Sequence, residues 1–255
     1  MFRRRCHLKD HKFGYIYFTC LICLILILSA CTPQPSSPLL TIEEHALEQI
    51  GDLDLGDWTP VEGTRSQILT KHEDLRATSA VEGVSTLILG TDTIRAIESY
   101  EGINVSVDVT RNDQPIFTTK AGVISPINNF RGLWAVDDQW IMEVAHVDEN
   151  STDPNAAFII WGEIIQDGES LNQKFGYEEA FGFQLLDAKP FFFFKKDGQI
   201  GMSYDGVETL LNFTDVHHYL CCSAGSLNPR SAEKMVAFFA KRVNVDHYVE
   251  IGVFN

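Results

Sequence analysis

The sequence predicts a mainly β fold, with antiparallel hairpins forming a sandwich or propeller-like single domain and a short N-terminal helix. Three observations predict it: apolar and polar residues alternate in several segments, Asp-Gly and related pairs join these segments, and helical patterns are few. The 255 residues include 45% hydrophobic and 22% charged residues, a composition typical of globular proteins. This composition excludes a wholly disordered chain, a collagen and a coiled coil.

The first thirty residues have the character of an export signal, which is set aside before the fold is considered. Arg3, Arg4 and Arg5 form a basic start, and residues 15–30 form an apolar stretch rich in Leu and Ile. This stretch is shorter than the roughly 18 residues expected of a membrane-spanning helix. Residues 1–30 are therefore predicted to be a signal peptide.

The sequence Leu28-Ser29-Ala30-Cys31 closely resembles the lipobox of bacterial lipoproteins. The resemblance implies a diacylglyceryl thioether on Cys31, cleavage before Cys31 and acylation of its new amino group. Several acyl chains, at about 0.8 kcal/mol per buried methylene, anchor a protein stably. The resemblance therefore implies that the membrane is a partner, bound through Cys31, and that the body lies on the extracytoplasmic face of the cell envelope. The alternative is an uncleaved signal anchor in which Cys31 has no special role.

The region after Cys31 predicts a tether followed by an acidic body. Residues 31–40 are rich in Pro and Ser, and we expect them to hold residues 41–255 away from the bilayer. The chain has 35 acidic and 20 basic residues, a formal net charge of −15, and five of the basic residues lie in the predicted signal. Because such a body repels phosphate backbones, nucleic acid is not expected to be a partner.

The predicted domain begins with a helix signal. Thr41 and Glu44 match the capping-box pattern, which predicts a helix over 42–50 that stops before Gly51. The following segment, 52–57, begins like a calcium loop, but Gly63 stands where the loop needs its final Glu. We interpret 52–57 as a solvated acidic turn.

The remaining elements are mostly predicted strands. The expected strands cover 86–89, 103–109, 116–119, 133–136, 140–144, 158–165, 191–196, 199–204 and 248–254. The clearest hairpin joins 191–196 to 199–204 through Asp197-Gly198, a favoured turn pair. Helices are considered over 208–212 and 229–241, although the second segment suits a strand paired with 247–254 equally well. No internal linker interrupts 41–255, so we expect one domain.

No catalytic motif identifies a reaction. The segment 201–206 contains Gly-x-Ser but lacks the second Gly of a nucleophile elbow. Phosphate-binding loops, HExxH and dinucleotide fingerprints do not occur in the sequence, so no cofactor is predicted. Carboxylates such as Glu178-Glu179, or Asp205 with Glu250, suit glycan hydrolysis only at the right spacing in three dimensions.

Aromatic residues concentrate in the middle of the chain: Trp134, Trp140, Trp161, Phe191 to Phe194, Tyr204 and Tyr219. In an exported protein, an exposed aromatic shelf beside acids suits a carbohydrate or a cationic ligand. The alternative is that these rings form the core. Since alternate residues of a strand face opposite sides, some of Phe191 to Phe194 must be core in either case.

The densest group of candidate ligands is His217, His218, Cys221 and Cys222. On a helix or a strand, His217 shares a face with Cys221 and His218 shares a face with Cys222. A closed zinc or copper site within this segment is therefore sterically difficult. The other interpretations are a vicinal disulfide between Cys221 and Cys222, which an oxidising compartment favours, and two buried reduced thiols.

Together these observations predict a lipid-anchored protein with a binding or envelope-associated role. The competing class is an extracytoplasmic hydrolase that acts on glycans or peptides. The two classes differ in one respect, because an enzyme needs several polar groups that converge in one pocket. The residues whose positions discriminate between them are His146, His217, His218, Asp205 and Glu250.

Overall fold

The computed structural model describes residues 40–47, 76–77, 83–149, 158–243 and 245–253, and within these ranges strands dominate. In chain order the strands are β1 (Thr41–Leu47), β2 (Arg76–Ala77), β3 (Val84–Leu89), β4 (Asp92–Glu101), β5 (Asn104–Arg111), β6 (Gln114–Val123), β7 (Phe130–Val136), β8 (Gln139–Glu149), β9 (Phe158–Gln166), β10 (Glu169–Ser170), β11 (Glu179–Leu186), β12 (Lys189–Lys196), β13 (Gln199–Tyr204), β14 (Val207–Leu210), β15 (Asp215–Val216), β16 (Arg230–Ala232), β17 (Met235–Arg242) and β18 (Val245–Gly252). One short helix, α1 (Leu171–Phe175), and a 3₁₀ helix (Cys222–Leu227) complete them. The predicted mainly β fold class is confirmed.

The strands form three sheets. The six-stranded sheet has the order β1-β18-β17-β16-β2, with β15 also paired to β17. The eight-stranded sheet has the order β10-β9-β8-β6-β5-β4-β3, with β7 also paired to β8. The four-stranded sheet runs β11-β12-β13-β14. Pairing is antiparallel except for one parallel contact between Gly122 of β6 and Val147 of β8.

Tight turns fix the register of the hairpins. Asp197-Gly198 and Asp205-Gly206 have positive φ at both positions, 52° and 71° in the first turn and 51° and 76° in the second. These values match the type I′ turn, whose twist agrees with that of the flanking strands. The predicted pairing of 191–196 with 199–204 is confirmed, with Phe192 opposite Ser203.

The central part of β12 in the four-stranded sheet is buried on both faces, in a sandwich-like arrangement, whereas the edge strand β14 is exposed. Phe191 and Phe193 face a core cluster shared with the six-stranded sheet, whereas Phe192 and Phe194 face a cluster shared with the eight-stranded sheet. Because both faces are covered, β12 reads as a continuous apolar run rather than an alternating one. All four rings are buried, so the core interpretation of this run is confirmed.

The predicted N-terminal helix is wrong, because Thr41–Leu47 forms β1. This strand pairs antiparallel with β18 along its whole length, from Thr41 opposite Gly252 to Leu47 opposite Asp246. Glu44 does not cap a helix; its carboxylate accepts two hydrogen bonds from Arg242, at 2.6 and 2.8 Å. An isolated nine-residue helix is marginal in water, whereas β1 satisfies the otherwise open edge of β18.

The other two helix candidates are also strands. The segment 208–212 largely falls in β14, and 229–241 contains β16 and most of β17. The alternative expectation for the second segment is confirmed, since β17 pairs with β18. The predicted signal, lipobox, most of the tether and the acidic turn at 52–57 lie outside the described residues.

Candidate functional site

The five polar residues that discriminate between the two function classes have different neighbours. His146 contacts Glu163, His217 contacts Asp246 and His218 contacts Glu179. Asp205 pairs with Lys189, and Glu250 accepts a hydrogen bond from Tyr248. His218 lines a small cavity that none of the other four lines. The described part of the chain therefore does not bring these side chains together.

A buried polar cluster of Glu143, Glu179, His218 and Tyr219 lies between β8, β11 and the segment after β15. Glu143 is 2% exposed, and both of its carboxylate oxygens accept hydrogen bonds at 2.6 Å, from the Tyr219 hydroxyl and from the Phe183 amide. Burial and the charge of Glu143 raise the pKa of Tyr219 well above its usual value. The phenol therefore stays neutral and acts as a hydrogen-bond donor.

His218 is fixed within the cluster by its ring face and by both ring nitrogens. The imidazole stacks on Phe181 with a centroid distance of 3.7 Å and an interplanar angle of 11°. Nδ1 lies 2.6 Å from the Val216 carbonyl oxygen, and Nε2 lies 2.8 Å from Glu179 Oε1. Since both nitrogens face acceptors, the protonated imidazolium satisfies both contacts. Burial lowers the pKa of His218, but the hydrogen bond and charge of Glu179 outweigh it and the pKa is raised.

The cluster has little room for a substrate. Its cavity has a volume of about 10 Å³, close to the smallest that holds one water molecule. The Arg131 guanidinium lies 5.2 Å from the centre of the Tyr219 ring at the same cavity. The donors and acceptors of Glu143 and His218 are occupied by the protein itself, as expected of a structural network.

The raised pKa of His218 predicts a pH-dependent contribution to stability. Its pKa is higher in the folded than in the unfolded chain, so its stabilising effect is complete below about pH 6.5 and disappears as the pH rises through the folded pKa. We expect the difference in unfolding free energy between the wild type and His218→Gln to shrink from pH 6 to pH 9 in urea titrations.

His217→Gln is the matched control for this experiment. Burial lowers the pKa of His217, so the contribution of His217 to stability increases as the pH rises. The difference in unfolding free energy between the wild type and His217→Gln should therefore grow from pH 6 to pH 9. If the difference in unfolding free energy between the wild type and His218→Gln stays constant from pH 6 to pH 9, the assignment of His218 as an imidazolium is contradicted.

The candidate metal ligands are not gathered around one point. Both nitrogens of His218 are occupied by the protein, and His217 Nε2 lies 3.7 Å from Asp246 Oδ1. Within the described ranges, no three His, Cys, Asp or Glu side chains form a group able to hold a metal ion.

Cys221 and Cys222 lie at the surface as free thiols, with their sulfur atoms 2.9 Å apart. The interpretation as two buried reduced thiols is wrong, since Cys221 is half-buried and Cys222 is exposed. The contact with Cys221 raises the pKa of the Cys222 thiol, which disfavours the nucleophilic thiolate. The vicinal disulfide stays a prediction.

A second site is a cavity of about 170 Å³ between the four-stranded sheet, β9 and α1. We call this cavity the aromatic pocket. Its lining is mostly apolar and aromatic and consists of Val136, Ile141, Gln166, Leu171, Phe175, Tyr177, Phe183, Pro190, Phe192, Ser203, Gly206 and Glu208. Of the aromatic group considered for an exposed shelf, Phe191 to Phe194, Trp140, Tyr204 and Tyr219 are buried, as the core alternative predicts. Of the aromatic residues singled out in the sequence, Phe192 alone lines this cavity.

Register and capping place the pocket residues. Phe192 lies opposite Ser203, and Ser203 lies opposite Glu208, so the three share one face of the sheet. The short helix α1 begins at the Ser170 cap, whose hydroxyl accepts from the Gln173 amide, and stops at Gly176, with a φ of 71°. Tyr177 follows immediately, and its ring stacks on Phe194 at a centroid distance of 4.6 Å.

Glu208 is the charged residue of the pocket lining. Its Oε1 accepts a hydrogen bond of 2.7 Å from the Tyr177 hydroxyl. Burial and Glu208 raise the pKa of Tyr177 above its usual range, so this phenol is a neutral donor. No lysine or arginine among the described residues forms an ion pair with Glu208. The lining therefore combines aromatic walls with one carboxylate, and the ammonium group of Lys196 lies nearby over the Tyr177 ring.

The pocket also contains Tyr177, Phe183 and Glu208, which no sequence motif singles out. The two Asp-Gly turns do carry the signal for Glu208, because two-residue turns place Phe192, Ser203 and Glu208 in one row. No local signal indicates the positions of the other two. Phe183 depends on the irregularity of β11 between Phe181 and Gln184, and Tyr177 reaches Glu208 across 31 residues of the chain.

No helix within the described ranges has the length and apolar character needed to cross a membrane. Comparison with known proteins finds no matching family model, no matching curated protein and no matching solved structure.

Proposed function

We propose that this chain is a lipid-anchored extracytoplasmic binding protein whose ligand site is the aromatic pocket. The observation that carries the proposal is a cavity of about 170 Å³ with aromatic walls and few polar groups. Small-molecule sites are typically concave, mostly apolar and equipped with a few polar groups that orient the ligand.

The same pocket gives less support to the competing hydrolase. Ser203 lines the pocket, but it is 4% exposed, and the lining contains no histidine that could activate its hydroxyl. Glu208 is the one carboxylate of the lining, whereas glycoside hydrolysis by the common mechanism uses two. The chemistry of the lining therefore favours binding over bond cleavage.

The lipobox-like segment supports the location. Leu28-Ser29-Ala30-Cys31 resembles the site at which bacterial lipoproteins are acylated and cleaved. We expect Cys31→Ala to abolish labelling by a radioactive fatty acid and to block cleavage before residue 31, as followed by autoradiography and N-terminal sequencing. Cys23→Ala, a change within the predicted signal, is the control and should leave both unchanged. A Cys31→Ala protein that still carries label would overturn the anchoring part of the proposal.

The binding part of the proposal is tested with a neutral probe. We expect benzyl alcohol to bind the wild-type protein in calorimetric titrations, because a cavity of about 150 Å³ accommodates one benzene ring. Val136→Trp should weaken this binding at least tenfold, since a bulky side chain at Val136 enters the pocket. Ala135→Trp is the matched control, because the preceding residue is exposed and lies outside the lining. Equal effects of the two substitutions would contradict the proposed site.

A further inference from the structure

We propose that the ligand of the aromatic pocket is a small organic cation, with its ammonium group at Glu208 and its apolar body against the rings of Tyr177, Phe183 and Phe192. This inference rests on the proposed function, because it assigns a ligand class to the same site. It follows from the charge of the lining, the position of the carboxylate and the contacts that Lys174 and Lys196 already make with rings around the pocket.

The row across the four-stranded sheet changes from apolar to charged as it approaches the sheet edge. Phe183 and Phe192 are buried, Ser203 is next, and Glu208 is exposed on the edge strand β14. A ligand that follows this row places an apolar part at the inner end and a polar part at Glu208. The Tyr177 hydroxyl holds Glu208 Oε1 at 2.7 Å, which fixes the carboxylate at the pocket.

The charge of the lining selects against anions. Glu208 is charged, and the lining contains no lysine, arginine or histidine. An anionic ligand would lie beside this carboxylate, whereas a cation would form a charge-assisted contact with it. The formal net charge of −15 adds a general attraction for cations. A carbohydrate is less suitable, because Gln166, Ser203 and Glu208 are the main side chains of the lining able to pair with its hydroxyls.

Two ammonium groups of the protein already lie over aromatic rings of the pocket. Lys174 Nζ is 5.9 Å from the centre of the Phe175 ring, and Lys196 Nζ is 5.6 Å from the centre of the Tyr177 ring. Both distances are within the roughly 6 Å at which a cation is attracted to the face of a ring. Phe175 is also 43% exposed, so its ring is accessible at the rim. These two rings therefore already carry ammonium groups of the protein, and the carboxylate of Glu208 is the contact left in the lining for the ammonium group of a ligand.

The size of the pocket limits the ligand to about one ring with a short charged arm. The volume of about 170 Å³ is slightly larger than the roughly 150 Å³ of a cavity that binds benzene. Benzylammonium fits this description and serves as the cationic probe. Benzyl alcohol and benzoate have the same ring and nearly the same size, so they serve as the neutral and anionic probes.

The test compares the three probes by isothermal titration calorimetry at pH 7 and low salt. We expect benzylammonium to bind at least about tenfold more tightly than benzyl alcohol, and benzoate to bind more weakly than either. Added NaCl should reduce the preference for the cation, because salt screens a charge contact at an exposed carboxylate. Glu208→Gln should bring benzylammonium and benzyl alcohol within about twofold of each other. Glu101→Gln, which alters an exposed glutamate on β4, should keep the full preference.

The outcomes separate this inference from the proposed function. If benzyl alcohol binds as tightly as benzylammonium, the cation assignment is overturned while the pocket remains a binding site. The same assignment is overturned if Glu208→Gln keeps the wild-type preference, since the cation then binds elsewhere. If none of the three probes binds the wild-type protein, both the assignment and the proposed function fail.

Discussion

Replacing Glu143 with alanine is expected to lower the free energy of unfolding by roughly 3 kcal/mol, because each hydrogen bond to a charged group contributes about 1.5–3 kcal/mol. Glu143 on β8 accepts from the Phe183 amide, 40 residues along the chain, and from the Tyr219 hydroxyl, 76 residues along the chain. Alanine leaves both donors buried without an acceptor. Removal of a buried charge offsets part of this cost. Urea unfolding at pH 7 measures the loss.

A double-mutant cycle tests whether Tyr219 is the partner responsible. Tyr219→Phe removes one donor and keeps the ring, so we expect it to be destabilising as well. Because the two residues are in direct contact, their coupling energy should reach about 1 kcal/mol or more. Glu101→Ala is the surface control, with an expected change within about 0.5 kcal/mol. Additive effects of Glu143→Ala and Tyr219→Phe would show that the contact contributes nothing of its own.

Gly122→Ala is expected to be equally damaging, with a loss of roughly 3–5 kcal/mol in the free energy of unfolding. A methyl group at Gly122 would lie 1.9 Å from the carbonyl oxygen of Val147, in the parallel contact between β6 and β8. The obstacle is backbone, which cannot move aside as a flexible side chain can. Gly122 also has a φ of 96°, a conformation unfavourable for any residue with a Cβ.

Gly90→Ala separates the two causes. Gly90 has a φ of 61°, but no atom lies within 4 Å of the added methyl group. Its replacement should cost only the strain of the left-handed conformation, about 1–2 kcal/mol. The difference between the two variants in urea unfolding measures the clash with Val147 together with the greater backbone strain at the φ of 96°. Equal losses would mean that β6 and β8 do not approach each other this closely.

The pocket and the buried polar cluster are linked through one residue. Glu143 holds the backbone amide of Phe183, and the Phe183 ring forms a wall of the aromatic pocket. The same ring packs against Trp134 at a centroid distance of 4.9 Å. Loss of Glu143 is therefore expected to weaken probe binding as well as stability.

The sequence by itself determined the hairpins of the middle of the chain. Phe191–Lys196, Asp197-Gly198 and Gln199–Tyr204 are adjacent in sequence, and a two-residue turn leaves only one register that pairs them well. The predicted alternation over 103–109 likewise places Val105, Val107 and Val109 on one buried face, whereas Ile103 lies in the turn before β5 and is exposed. These predictions were confirmed because every contact on which they depend is local.

Only the tertiary structure decided the N-terminal strand and the candidate site. The capping pattern of Thr41 and Glu44 is a local preference, and it loses to the pairing of β1 with β18 and to the contact of Glu44 with Arg242, 198 residues away. In the same way, Tyr177 and Glu208 meet although they lie 31 residues apart in the chain. Local propensities differ by only about 1 kcal/mol per residue, so strand pairing and burial between distant segments override them.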